Sequence, residues 1–162
     1  MRGPRLRLAA IMLAAAGLVV ACTPAPSEVT FFGNRTAVQA EPAVWCSVNL
    51  GTLSGSCPEP DSSKAVALSL RPGDPVEISV PFDVAQAPWV VVFRYIDGAG
   101  KEQEARTAFF TDHRLAYVLR PPTDRDLIIQ VEVQAMLVPM SDGSFQPTRI
   151  WVLTCAPAGA KS

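Results

Sequence analysis

The chain has 162 residues, room for one domain with short tails, and with 49% of them hydrophobic and 18% charged it is not a disordered sequence. The formal net charge is −1, and loss of Arg2, Arg5 and Arg7 with an N-terminal leader would leave 11 basic residues against 15 acidic ones. No run of lysine or arginine remains, which argues against nucleic-acid binding and against capture of anionic headgroups by a polybasic patch, since both need a basic stripe.

Residues 1–21 read as a signal peptide. Three arginines precede an unbroken apolar run, Leu8–Val20, which has the length of a leader's core and falls short of the roughly 20 residues that span a bilayer as a helix. The order Val19-Val20-Ala21-Cys22 is that of a bacterial lipobox. In that chemistry the thiol of Cys22 takes a diacylglycerol and the small Ala21 admits the peptidase. The expectation is a mature chain beginning at Cys22 and held to a membrane by its lipid; an ordinary secretory leader and an uncleaved anchor are the alternatives. Two acyl chains, at about 0.8 kcal/mol per buried CH₂, anchor stably. The segment 22–27, Cys22-Thr23-Pro24-Ala25-Pro26-Ser27, is a proline-rich tether of about 3 Å per residue, a reach on the order of 15 Å.

From residue 28 to 156 the pattern is period-two alternation with turn residues at short intervals. Glu28–Phe32 is a first strand stopped by Gly33-Asn34, with Arg35–Gln39 returning. Ala43–Leu50 places Val44, Cys46 and Val48 on one face and Trp45 on the other. Ala65–Leu70 and Val76–Val80 alternate cleanly across the turn Arg71-Pro72-Gly73-Asp74-Pro75. Pro81–Pro88 has room for one helical turn. Trp89–Ile96 is apolar on both faces, as a strand covered on both sides is. Asp97-Gly98-Ala99-Gly100 turns it into Gln103–Phe110. Leu115, Tyr117 and Leu119 share a face, as do Leu127, Ile129, Val131 and Val133. Ser141-Asp142-Gly143 turns the chain into Thr148–Thr154, and 157–162 reads as a frayed tail. These elements predict an all-β domain, a two-sheet antiparallel sandwich of immunoglobulin-like kind, with a closed β-barrel as the alternative.

Four cysteines are present. With Cys22 lipidated, three remain for an oxidising compartment. A Cys46–Cys57 bridge would close the loop around Gly51-Thr52-Leu53-Ser54-Gly55-Ser56 and is favoured; Cys46–Cys155 would instead staple two sheets. No pair has zinc-ligand spacing, so no metal is expected, and no cofactor motif occurs.

Candidate chemistry is sparse. His113 is the single histidine; beside Asp112 it has the makings of a general base, and in a turn it is more simply a solvated residue. Glu102 and Glu104 sit near a hairpin, where carboxylates are usually solvated. Asn34-Arg35-Thr36 formally fits a glycosylation acceptor and reads as a turn. No catalytic residue is assigned. Among Trp45, Trp89, Phe93, Tyr95, Tyr117 and Trp151 a core role is the default for strand aromatics; Tyr117 is a candidate tyrosine corner. Trp45 is the candidate for a binding surface, because its neighbours claim the other face of its strand.

The lipobox at Cys22, the pair Cys46 and Cys57, the block Val76-Glu77-Ile78-Ser79-Val80-Pro81, the segment Ala87-Pro88-Trp89 running on to Tyr95, Leu115–Leu119 and Val131–Gln134 together resemble a family of actinobacterial lipoproteins, domain of unknown function 2771. The resemblance covers roughly residues 28–154, with Cys155 outside its pattern. It implies an envelope address and carries no assigned activity. The expectation is a non-enzymatic lipoprotein of the outer membrane face that binds an envelope protein, peptide or glycan. A carrier of a small apolar ligand, and an enzyme of unfamiliar design, are the competing readings.

Overall fold

A computed structural model describes residues 27–49, 51–52, 54–139 and 144–159. The leader, Cys22 and the expected turn at Ser141-Asp142-Gly143 lie outside the described residues.

The domain is all-β apart from a four-residue helix, α1 (Phe82–Ala85), and a 3₁₀ turn at Ser62–Lys64. The strands are β1 (Val29–Gly33), β2 (Thr36–Ala40), β3 (Val44–Trp45), β4 (Ser47–Asn49), β5 (Ser54–Ser56), β6 (Val66–Leu70), β7 (Val76–Ser79), β8 (Trp89–Ile96), β9 (Glu102–Arg106), β10 (Ala116–Leu119), β11 (Leu127–Pro139) and β12 (Phe145–Pro157). One sheet has the order β10-β7-β1-β2. The other runs β3-β12-β11-β8-β9, with β6 also on β12, and β4-β5 form a separate hairpin. The two sheets pack as a sandwich and do not join into a closed barrel.

The alternation in the sequence explains which faces meet. Val29 and Phe31 of β1, Val76 and Ile78 of β7, Trp89, Val91 and Phe93 of β8, Val131 and Val133 of β11, and Trp151 and Leu153 of β12 are all buried in one core. The largest of these, Trp89, Trp151 and Phe31, are fully enclosed, so the space between the sheets is filled by side chains. Trp89 Nε1 is buried without a hydrogen-bond partner among the described residues, and its ring lies 4.5 Å from that of Phe110.

Several expectations are corrected. The sandwich is not wholly antiparallel: β6 runs parallel to β12 from Val66↔Leu153 to Leu70↔Pro157. Ala43–Leu50 is not one strand. Its first part, β3, pairs with Arg149 and Ile150 of β12, whereas β4 leaves the sheet to pair with β5. The Cys46–Cys57 bridge, formed as favoured from the loop between them, ties β4 and β5 into that local hairpin. Cys155 is accordingly free. Closing a loop of this size contributes roughly 2.7 kcal/mol in the chain-entropy model.

The β1–β2 turn is centred on Asn34 and Arg35, with φ of 47° and 65°, one residue later than Gly33-Asn34. Gly33 stays in the strand because a Cβ there would lie 2.9 Å from Leu70 Cδ2. A register shift between Ile128 and Gln130 turns Ile128 inward in place of Ile129, as a bulge does. The strand expected over Gln103–Phe110 ends at Arg106, with one further bridge from Phe110 to Trp89. Tyr117 sits within β10 opposite Ile78, its ring 4.8 Å from Phe110. Its hydroxyl makes no hydrogen bond to backbone among the described residues, so no tyrosine corner is formed there.

The two ends of the sandwich differ in character. One end gathers Ser27, α1, the segment from Phe109 to Leu115 and the projecting β11–β12 hairpin, as the pairings Val29↔Ala40, Ser79↔Ala116 and Pro139↔Phe145 place them. The opposite end holds the β1–β2 turn, Arg71–Asp74, Asp97–Lys101 and Thr123–Asp126. There the buried Asp126 joins three loops. Its carboxylate accepts from Gly98 N at 3.0 Å and Thr123 N at 2.9 Å, and its carbonyl accepts from Gly73 N at 3.0 Å.

Candidate functional site

Trp45 is 45% exposed while Val44 and Cys46 beside it are buried, the arrangement expected from the alternation around it. A two-residue strand sets it at the edge of the six-stranded sheet, beside β12. The guanidinium of Arg149, opposite Trp45 in the register, lies 3.8 Å over the indole ring. Arg149 Nη1 is also 3.6 Å from the Asp83 carboxylate at the start of α1. Asp83 in turn accepts from the Ser27 hydroxyl. Trp45, Arg149, Asp83 and Ser27 thus form one continuous chain of contacts. Phe82, next to Asp83, is 69% exposed.

Farther along the same end, Pro88, Phe109, Thr111, Leu137 and Phe145 line an open cleft of about 220 Å³. The rings of Phe109 and Phe145 meet edge-on at 6.3 Å, and Arg106 covers Phe109 from 5.7 Å. The cleft is smaller than the roughly 300–1,000 Å³ of small-molecule sites. It suits one inserted apolar side chain or chain end better than an enclosed ligand.

The residues considered for acid–base chemistry do not converge. Asp112 is not paired with His113. Both its carboxylate oxygens bind Arg114, at 2.7 to 3.1 Å, and these hydrogen bonds hold its pKa down at about 2. His113 is exposed with φ of 56°, its Nδ1 3.1 Å from the Ala85 carbonyl oxygen. Glu102 meets Arg94 at 2.5 Å. Across the outer face of β8 and β11, Arg94 donates to Gln130, and Gln130 and Gln134 donate to opposite oxygens of Glu132. These groups satisfy one another in a ladder, a pattern that rigidifies a sheet face. No group of three or more metal-ligating side chains is assembled among the described residues, and no helix there is long and apolar enough to cross a membrane.

Cys155 lies on β12 opposite Leu68, and burial raises its thiol pKa to about 12. The thiolate is the reactive form. Iodoacetamide at pH 8 should therefore label Cys155 at least tenfold more slowly in the folded chain than in urea; mass-spectrometric labelling at equal rates in both states would contradict that burial.

Sequence reasoning singled out Trp45 but not its surroundings. Phe82, Phe109 and Phe145 lie in or beside connections between strands, where no alternation assigns them a face. Arg149 was invisible because the pairing β3–β12 spans about a hundred residues. A family model described as a protein of unknown function (DUF2771) matches residues 23–155. No curated protein matches, and no solved structure does.

Proposed function

We propose that this chain, which belongs to the DUF2771 family, is a non-enzymatic interaction module held by lipid on Cys22 at the outer face of a cell membrane. The observation that carries this is the exposed aromatic end around Trp45, Phe82 and Phe145, at which the chain leading from Cys22 enters the domain. Monomeric proteins rarely leave several large apolar side chains together at one surface without a use for them. An envelope protein, peptide or glycan is the class of partner that such a surface, with an arginine stacked on its tryptophan, would hold.

The fold reading that goes with it is immunoglobulin-like. It is supported by β7 and β10 paired in one sheet, by β8, β11 and β12 in the other, and by a buried tryptophan, Trp89, on the strand in the C position. The bridge Cys46–Cys57 is a local one and differs from the inter-sheet disulfide of antibody domains.

Mass spectrometry of the mature N-terminus tests the anchor. The expected chain begins at Cys22 with Ala21 removed and carries a diacylglyceryl mass. A mature chain with an unmodified Cys22 overturns it. Photo-crosslinking in cells from positions 45, 82 and 145 tests the surface. Discrete adducts to a protein, peptide or glycan are expected; adducts to lipid alone, or none from all three positions, would remove that class of partner.

A further inference from the structure

We infer that the aromatic end of the sandwich, led by Trp45 and Phe82, rests in the interface of the same bilayer that holds the lipid on Cys22. This makes the bilayer, in place of an envelope protein, peptide or glycan, what that surface meets, and it rests on the lipid-anchor proposal alone.

The point where the chain enters the domain is fixed. Trp151 Nε1, inside the core, donates to the Ser27 carbonyl at 2.9 Å, and the Ser27 hydroxyl donates to Asp83. Asp83 is one residue from Phe82 and is joined through Arg149 to Trp45. Ser27 is the fifth residue after Cys22. At about 3 Å per residue the tether spans on the order of 15 Å. A sandwich held that closely must turn one face or end toward the membrane, and Ser27 determines which.

That end is the apolar one. Seven large hydrophobic side chains are exposed among the described residues, and five of them, Trp45, Phe82, Phe109, Leu115 and Phe145, belong to it. The other two, Phe32 and Val118, flank Glu77 across the outer face of the four-stranded sheet. The opposite end carries Asn34, Arg71, Asp74, Asp97, Lys101 and Asp124. The molecule is therefore polarised along the axis set by its tether.

The chemistry of the end suits an interface. Tryptophan and arginine present an apolar body and a polar tip, the combination favoured where hydrocarbon meets headgroups. Among the described residues, three of its carboxylates are matched by cations: Asp83 by Arg149, Asp112 by Arg114, and Glu41 by Lys64. Glu28 stands exposed at the tether itself. With no surplus of positive charge, attachment of this end comes from aromatic insertion and does not need anionic lipid.

The test uses the lipid-bearing chain purified from membranes and reconstituted into phosphatidylcholine vesicles, with or without lipid brominated near the ester. Bromine quenches tryptophan at contact range. Trp89 and Trp151 are fully buried, so Trp45 is the reporter. The expected result is loss of about one third of the emission, one tryptophan of three. The loss should disappear in Trp45→Phe and persist at high salt. Flotation of the vesicles is measured in parallel. A chain that floats with its vesicles, shows no bromolipid quenching and has Trp45 open to aqueous acrylamide overturns the orientation alone. Trp45 shielded from both quenchers also overturns it and points to a covering segment of the chain or a second copy. A chain that does not float overturns the anchor, and the orientation with it.

Discussion

Replacing Trp151 by alanine should lower the stability of the domain by about 4 kcal/mol, the cost of a large cavity in a core that cannot collapse around it. Trp151 is fully buried opposite Val133, in the strand that carries most of the six-stranded sheet. Its indole nitrogen also holds the Ser27 carbonyl at 2.9 Å. Against a total on the order of 5–15 kcal/mol this is a large fraction. It should appear as a lowered urea midpoint at unchanged slope. Trp151→Phe keeps most of the apolar volume and loses the hydrogen bond, so about 1 to 2 kcal/mol is expected. A loss below about 2 kcal/mol for the alanine variant would mean that Trp151 is not the packed keystone described here.

The second large effect is expected at Asp126. Its carboxylate is buried and accepts from two backbone amides, those of Gly98 and Thr123. Asp126→Ala leaves both donors unsatisfied, at a cost of about 3 kcal/mol. Asp126→Asn retains one good acceptor and turns an amide donor toward the other N–H, so roughly half that loss is expected. Gly73 belongs to the same junction: its φ is 82°, and a Cβ there would meet the Asp124 carbonyl at 2.8 Å. Urea unfolding of the two Asp126 variants checks the ranking. An asparagine variant as stable as the native chain would show that the two hydrogen bonds do not carry the junction.

Much of this architecture is written in local periodicity. β7 and most of β11 follow directly from alternation, β8 from a run that is apolar on both faces, and the turn at Arg71–Asp74 from its proline and glycine. Trp45 was legible as a surface residue because Val44, Cys46 and Val48 occupy the other face. What local pattern does not encode is the partner of each strand. The parallel pairing of β6 on β12, the departure of β4 into its own hairpin and the placing of Arg149 over Trp45 all depend on contacts between distant segments. Asp126 escaped notice for a related reason. In Thr123-Asp124-Arg125-Asp126 it reads as one more loop carboxylate, and only the convergence of three loops buries it. The bulge at Ile128 likewise reversed a face that simple alternation had assigned to Ile129.

The position of β12 has a consequence for how the chain reaches its native state. This strand pairs with β11, β3 and β6, so a segment that follows all the others in the domain is the seam of the larger sheet. β3 has no partner until Arg149 and Ile150 are available, and β6 none until Leu153–Pro157 are. A chain emerging from its N-terminus would hold β3 and β6 unpaired until β12 had followed. Sheets assembled from such distant segments form slowly, and their unpaired edges invite aggregation in the meantime. The order of strands thus leaves the larger sheet open at β3 and β6 until β12 is present to join them.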